Sequence, residues 1–290
     1  MGYHGLGVAQ GGMVDTPDGD WYAFMFQDRG ALGRAPVLMP MHFEDGFPII
    51  GENGKVPEVV TVLDTGYQYA AINGSDDFFY KPDENGQITL KNFWEFNHQQ
   101  MDDFWSVTEN PGHLRLHSAK LSPTLFQAYN TLTQRTVGPK CAAEVTLRFA
   151  HMKNGDVAGI STFIGNYGFI GVKKEKDQYY LIMMGRPAKD TSVFGQFEYE
   201  NPGIEYQRVP IIDTSVCLRA EADFTDKKDL ASFFYKNREG WQKLGIDQPM
   251  YFKMDLFTGC RFGLFYYSTK QTGGFVDFSK FQFFEPKEEG

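Results

Sequence analysis

Paired carboxylates are the usual instruments of general acid–base chemistry, and five acidic residues lie close together near the N-terminus. Asp15, Asp18, Asp20, Glu44 and Asp45 all sit in or beside turns, where aspartate commonly binds backbone amides. A structural role therefore takes precedence over a catalytic one. The histidines His98, His113, His117 and His151 show no metal-ligand spacing. His113 and His117 are four apart, which shares a face on a helix, but their segment reads as a strand. His4 reads as a solvated loop histidine. Cys141, Cys217 and Cys260 are odd in number and far apart, which suits neither zinc nor a disulfide framework. They read as reduced thiols, and so toward a cytoplasmic location. Trp94 and Trp105 stand near Asn97, His98, Asp102 and Asp103, a grouping that can hold a sugar, but an early-strand tryptophan more often belongs to the core.

The chain that must position these groups has 290 residues, enough for two ordinary domains or one large all-β unit. Hydrophobic residues make up 42%, which excludes wholesale disorder. Aromatics reach 16%, with 27 Phe, 15 Tyr and 4 Trp, a bias that favours strands and supplies flat apolar surfaces. The net charge of −9 offers no basic stripe for phosphates, so nucleic acid and anionic membranes are poor partners and a neutral ligand fits better. No segment is long and apolar enough to span a bilayer, and the N-terminus has no signal-peptide pattern.

Residues 11–50 read as four short strands. Gly11–Thr16 and Trp21–Phe26 flank the turn Pro17-Asp18-Gly19-Asp20, a clear hairpin. Arg34–Phe43 follows, with Pro36 and Pro40 placing it at an edge or making it irregular, and Glu44-Asp45-Gly46 turns into Phe47–Ile50. Four such strands make one propeller blade, which has two faces that other blades should cover and cannot build a core alone. Residues 1–64 are therefore a blade and 65–75 a polar linker whose Asn73-Gly74-Ser75 is a weak glycosylation match. From residue 76 to 290, alternating runs such as Ala143–Phe149, Tyr179–Met183 and Cys217–Ala222 predict a two-sheet sandwich.

Several segments resemble glycoside hydrolase family 43, in particular its β-xylosidase and arabinofuranosidase-like members. Residues 9–22, residues 26–34 and Glu44-Asp45-Gly46-Phe47-Pro48 resemble its final propeller blade. Trp94–His98, Phe104–Leu116, Asn130–Thr136, Gly155–Gly159 and Phe257-Thr258-Gly259 resemble its accessory concanavalin A-like sandwich. The resemblance implies an all-β chain: the last blade of a five-bladed propeller followed by that sandwich. It also implies hydrolysis of β-xylosides or α-arabinofuranosides by inversion, in which one carboxylate activates water and another protonates the leaving oxygen. In the family these carboxylates lie on earlier blades, so no catalytic residue is expected here. The chain is then part of a hemicellulose-degrading glycosidase, or else a non-catalytic carbohydrate-binding or structural module that complements a separate propeller-bearing chain.

By the same resemblance, three residues face the sugar pocket. Arg29 matches an arginine near the substrate and catalytic carboxylates, where a guanidinium fork would bind hydroxyls and lower a neighbouring carboxyl pKa. Gln10 stands where some members carry a histidine; it can bond hydroxyls but is a poorer metal ligand, and no metal is expected. Phe257 lies on a sandwich loop that closes one end of the pocket and favours action on chain ends. The implied partners are xylo- or arabino-oligosaccharides, a propeller chain or a second copy, and the resemblance leaves room for a structural calcium without naming its ligands.

Overall fold

The computed structural model describes residues 8–62, 65–187, 200–252 and 258–286. Among the described residues every regular element longer than a single 3₁₀ turn is a strand. The first four are β1 (Val8–Asp15), β2 (Trp21–Asp28), β3 (Arg34–Glu44) and β4 (Phe47–Ile50), an antiparallel meander in sequence order. The sandwich strands follow: β5 (Glu95–Phe96), β6 (Trp105–Ser106), β7 (Leu114–His117), β8 (Leu132–Arg135), β9 (Lys140–Arg148), β10 (Asp156–Phe163), β11 (Gly168–Glu175) and β12 (Gln178–Gly185). They continue with β13 (Ile204–Ile211), β14 (Ser215–Asp223), β15 (Leu230–Asn237), β16 (Gly240–Lys243), β17 (Gln248–Pro249), β18 (Arg261–Ser268) and β19 (Phe275–Phe284). The chain is thus all-β, one blade followed by a two-sheet sandwich.

Turn chemistry shapes the blade. Thr16 and Asp20 close the first hairpin, Thr16 N–H donating to Asp20 O at 2.8 Å and Asp20 N–H to Thr16 Oγ1 at 3.2 Å. At the second hairpin Asp45 and Gly46 have φ of +49° and +83°, and positive φ at both central residues is what a two-residue turn between twisted strands requires. β4 pairs only with Met41–Glu44, so Pro36 lies where β3 forms the open margin of the meander. One blade face gathers Ala23, Met39 and Met41, packed by Trp21 and Met25. Other apolar side chains stay in solvent: Phe24 is 54% exposed and Phe47 73%. A core of three buried residues cannot hold four strands by itself, so the blade depends on its neighbours.

In the sandwich, one sheet runs β13-β12-β11-β10-β18-β8-β5 and the other β16-β15-β14-β9-β19-β7-β6, with β17 beside β15. β14 alternates strictly, sending Val216, Leu218, Ala220 and Ala222 inward against the other sheet. β10 does not alternate, because all eight residues are buried. Its Ala158 and Ile160 join the inter-sheet core, while Val157 and Phe163 join a second aromatic cluster with Phe126, Tyr167, Phe169 and Phe265. A strand buried on both faces loses the period-2 signal. Among the described strands β13 is the last of its sheet, and it carries Pro210 together with Arg208, which pairs with Glu205 and Glu175; proline and charge discourage further strand addition.

The segment between blade and sandwich is fastened rather than loose from residue 74 onward. Gly74 exchanges two hydrogen bonds with the side-chain amide of buried Gln134, at 3.0 and 3.1 Å. Asp76 and Phe281 exchange backbone bonds of 2.9 Å each. Trp94 is a core residue, 7% exposed, with Nε1 donating to Asp76 at 2.8 Å.

Candidate functional site

The turn Gly30–Leu32, between β2 and β3, plugs the blade into the sandwich. Ala31 is fully buried in the sandwich's own core cluster. Its N–H donates to Asp229 Oδ2 at 3.0 Å, and its carbonyl accepts from Cys260 N–H at 2.8 Å. Gly33 and Gly259 pack backbone to backbone: a Cβ on Gly33 would come within 2.5 Å of Gly259 Cα, and one on Gly259 would strike Leu32 O. Gly30, with φ of +58°, lies equally close to the Asp229 carboxylate.

Two of the three sequence-derived site residues, Arg29 and Gln10, fall within the described blade, just after β2 and on β1 respectively. Arg29 immediately precedes the turn, and its Nη2 donates to Oε1 of buried Gln27 at 3.2 Å. Its Nε is buried and finds no partner among the described residues. Gln27 is the register partner of Val8 on β1, and Gln10 is the extra residue of the bulge two positions later. Gln10 has φ of +42° and an exposed side chain. A bulge re-aims its side chain, and a non-glycine residue with positive φ is held there only by its surroundings. Phe257 lies outside the described residues; Thr258 and Gly259 border the same Leu32–Gly33 turn.

Beside the junction is a cavity of about 240 Å³ lined by Leu32, Arg34, Arg135, Thr136 and residues 258–261. Sequence reasoning missed its arginines, because they lie on three strands that only the tertiary fold joins. Arg34 pairs with Asp28 at 3.0 Å and covers the Phe26 ring at 4.1 Å. Arg261 engages Glu95 and reaches Thr133 Oγ1 at 3.3 Å.

Burial governs the ionisable groups here. The Cys260 thiol is pushed well above its ordinary value by burial, and Cys141 to about 12, so neither is a ready nucleophile. Burial also raises the Asp229 carboxyl, against a smaller lowering effect of the Ala31 amide. A carboxyl whose folded pKa exceeds its unfolded value, about 4, binds more protons when folded, so stability falls as pH rises through that window. Asp229→Asn keeps an acceptor for Ala31 N–H without the charge. It is expected to gain on the parent chain as pH rises from about 4 to 7. Melting temperatures across that range test this, and a difference independent of pH contradicts it.

The other sequence candidates disperse. His98 contacts Phe126 O at 2.9 Å, His117 contacts Glu109 Oε2 at 2.7 Å, and His151 stacks on Phe275 at 4.2 Å. No group of three His, Cys, Asp or Glu suited to a metal occurs among the described residues, so no calcium ligands emerge. No helix among them is long and apolar enough to cross a membrane.

Residues 83–284 match the family model for the β-xylosidase C-terminal concanavalin A-like domain of glycoside hydrolase family 43. The chain belongs to this family. A β-xylosidase of Formosa agariphila is 26% identical over 313 residues, covering 97% of this chain and 48% of the relative. A non-reducing-end α-L-arabinofuranosidase of Bacteroides ovatus is 26% identical over 161 residues, covering 53% of this chain and 29% of the relative. The solved structure of a bifunctional GH43-CE protein of Bacteroides eggerthii superposes with a TM-score of 0.84 at 36% identity, covering 97% of this chain and 34% of that one. This family 43 chain thus spans no more than about half the length of these relatives, blade and sandwich together.

Proposed function

We propose that the chain is the C-terminal portion of a glycosidase that, when complete, hydrolyses β-xylosides or α-arabinofuranosides with inversion. The observation that carries this reading is the end of the blade. There Arg29, bonded to Gln27, holds a buried Nε with no partner among the described residues, β1 carries the bulged Gln10 opposite Met25 and Phe26, and the next turn is locked to Thr258 and Gly259 of the sandwich. A fixed guanidinium fork binds sugar hydroxyls and lowers the pKa of a carboxyl placed opposite it. The Gln10 amide offers both donor and acceptor to hydroxyls. The names of the curated relatives support the sugar class.

Inversion needs two carboxyl groups far enough apart to admit a water. Asp15, Asp18, Asp20, Glu44 and Asp45 are exposed at hairpin ends, a poor setting for either role, and in this reading other blades supply both groups. Exposed Phe24, Phe43 and Phe47 then form part of the surface on which those blades pack, whether from one polypeptide or from a separate propeller-bearing chain.

The purified chain is expected to show no turnover of aryl β-xyloside or aryl α-arabinofuranoside. Co-expression with the earlier blades of a related β-xylosidase is expected to bring turnover. Arg29→Ala in that pair then lowers kcat/KM roughly ten- to a hundredfold, the size of a lost charged hydrogen bond. Robust turnover by the chain alone, free of contaminating enzyme, overturns the reading. A pair that binds but stays inactive favours a non-catalytic carbohydrate-binding or structural module instead.

A further inference from the structure

We infer that the cavity at the blade–sandwich junction is a binding site for the carboxylate of a sugar acid. Its three arginines come from separate strands: Arg34 from β3, Arg135 from β8 and Arg261 from β18. Arg135 and Arg261 are direct cross-strand partners. Like charges directly opposite each other on one sheet face destabilise it, and a third guanidinium from the blade adds to the repulsion.

Two acids offset part of this charge. Asp28 pairs with Arg34, and Glu95 engages Arg261. Arg135 has no charged partner among the described residues, which place three guanidinium groups against these two carboxylates in a chain whose net charge is −9. A guanidinium carries five donors and no acceptor. The hydroxyl hydrogen of Thr136 is already committed to Cys260 O at 2.8 Å, so the donors this lining offers a ligand are those of the guanidinium groups. A ligand for this lining must therefore bring acceptors, and an ionised carboxylate is acceptor-only and matches a guanidinium fork in two parallel bonds. The cavity, about 240 Å³, exceeds what a small inorganic anion fills, and Leu32 gives it an apolar patch against which the C–H face of a sugar ring can lie. The sugar part of the inference rests on the glycosidase reading; the anion part rests on the arginines alone.

Calorimetric titration of the 290-residue chain with sodium D-glucuronate, D-glucose and sodium sulfate tests both parts without any hydrolysis assay. Glucuronate is expected to bind and glucose to bind at least tenfold more weakly. Arg135→Ala, at an exposed position without a charged partner, is expected to fold normally and weaken glucuronate at least tenfold. Arg135→Lys keeps the charge but loses the fork, and is expected to restore little. A xylo-oligosaccharide bearing a glucuronosyl branch separates two sources of the same chemistry. Tighter binding than free glucuronate assigns the site to a polysaccharide decoration, and equal binding assigns it to the free acid; both support a sugar-acid site. Absence of glucuronate binding, or binding untouched by Arg135→Ala, overturns the inference. Sulfate binding as tight as glucuronate overturns its sugar part, and full recovery with lysine overturns forked recognition.

Discussion

Replacing Asp76 with alanine is expected to destabilise the sandwich by about 3–5 kcal/mol, the range for removing one partner from a buried charged network. Asp76 is 2% exposed. Its carboxylate accepts from Phe78 N–H at 2.9 Å, Trp94 Nε1 at 2.8 Å and the Tyr80 hydroxyl, and it pairs with Lys91 Nζ at 3.1 Å. Lys91 is partly exposed and can turn to water, but Phe78 N–H and Trp94 Nε1 cannot. A buried donor left without an acceptor costs roughly 1–3 kcal/mol, and two of them account for most of the loss. Burial, followed by the Asp76 contact, pushes the Tyr80 hydroxyl well up in the parent chain, and this half-buried group loses its acceptor as well. The network also fixes geometry: Trp94 packs edge-on against Phe281 at 4.9 Å, and Phe78 stacks on Trp94 at 5.9 Å. Asp76→Asn, which keeps one acceptor, is expected to lose about half as much. Urea unfolding followed by tryptophan fluorescence measures both; an Asp76→Ala midpoint equal to that of the parent chain would falsify the account.

The second large effect is expected at the junction. Gly259→Val drives a branched side chain into Leu32 O and the Gly33 backbone, and backbone atoms cannot step aside as a flexible side chain does. Overpacking of this kind costs about 1–3 kcal/mol, and the rigid partner puts this case near the top of the range. The sandwich can escape the strain by releasing the turn, because its inter-sheet core loses only Ala31. The blade cannot compensate, since its own buried core is Ala23, Met39 and Met41. With 1.4 kcal/mol per tenfold, a loss near 3 kcal/mol raises the undocked population about a hundredfold. Limited proteolysis is the direct measurement. Cleavage within the blade should accelerate by a similar factor while fragments of the sandwich persist, and an unchanged rate in the blade would mean that the turn is not what holds it.

The junction also explains what was readable in advance. The blade's hairpins were legible because their turns carry residues that demand one backbone: Pro17-Asp18-Gly19 in one, and Asp45-Gly46, both at positive φ, in the other. β14, and β9 from Ala143 onward, were legible because their burial alternates residue by residue. β10 was legible only through resemblance, since a strand buried on both faces carries no alternation. Trp94 was read correctly as core, but its partner Asp76 was not, because nothing local marks an aspartate that accepts from an indole 18 positions later.

The candidate site divides the same way. Arg29, Gln10 and Phe257 were named from resemblance, which orders residues along the chain without giving their surroundings. That Gln10 occupies a bulge opposite Met25 and Phe26, and that Arg29 Nε is buried without a partner among the described residues, became visible only with the β1–β2 pairing in place. The arginine cavity had no local signature at all. Arg34 follows a turn in the blade, Arg135 ends β8, and Arg261 opens β18, and each alone is an ordinary surface arginine. The sequence by itself determined the all-β class, the turns and the change from blade to sandwich, because these follow from backbone preference and the period of burial within a few residues. Only the tertiary structure decided what stands opposite what: the register of β8 against β18 and the seating of Ala31 between sheets. Both come from packing surfaces far apart in the chain, and pairing at that distance is selected by total buried area and backbone fit rather than by any short pattern.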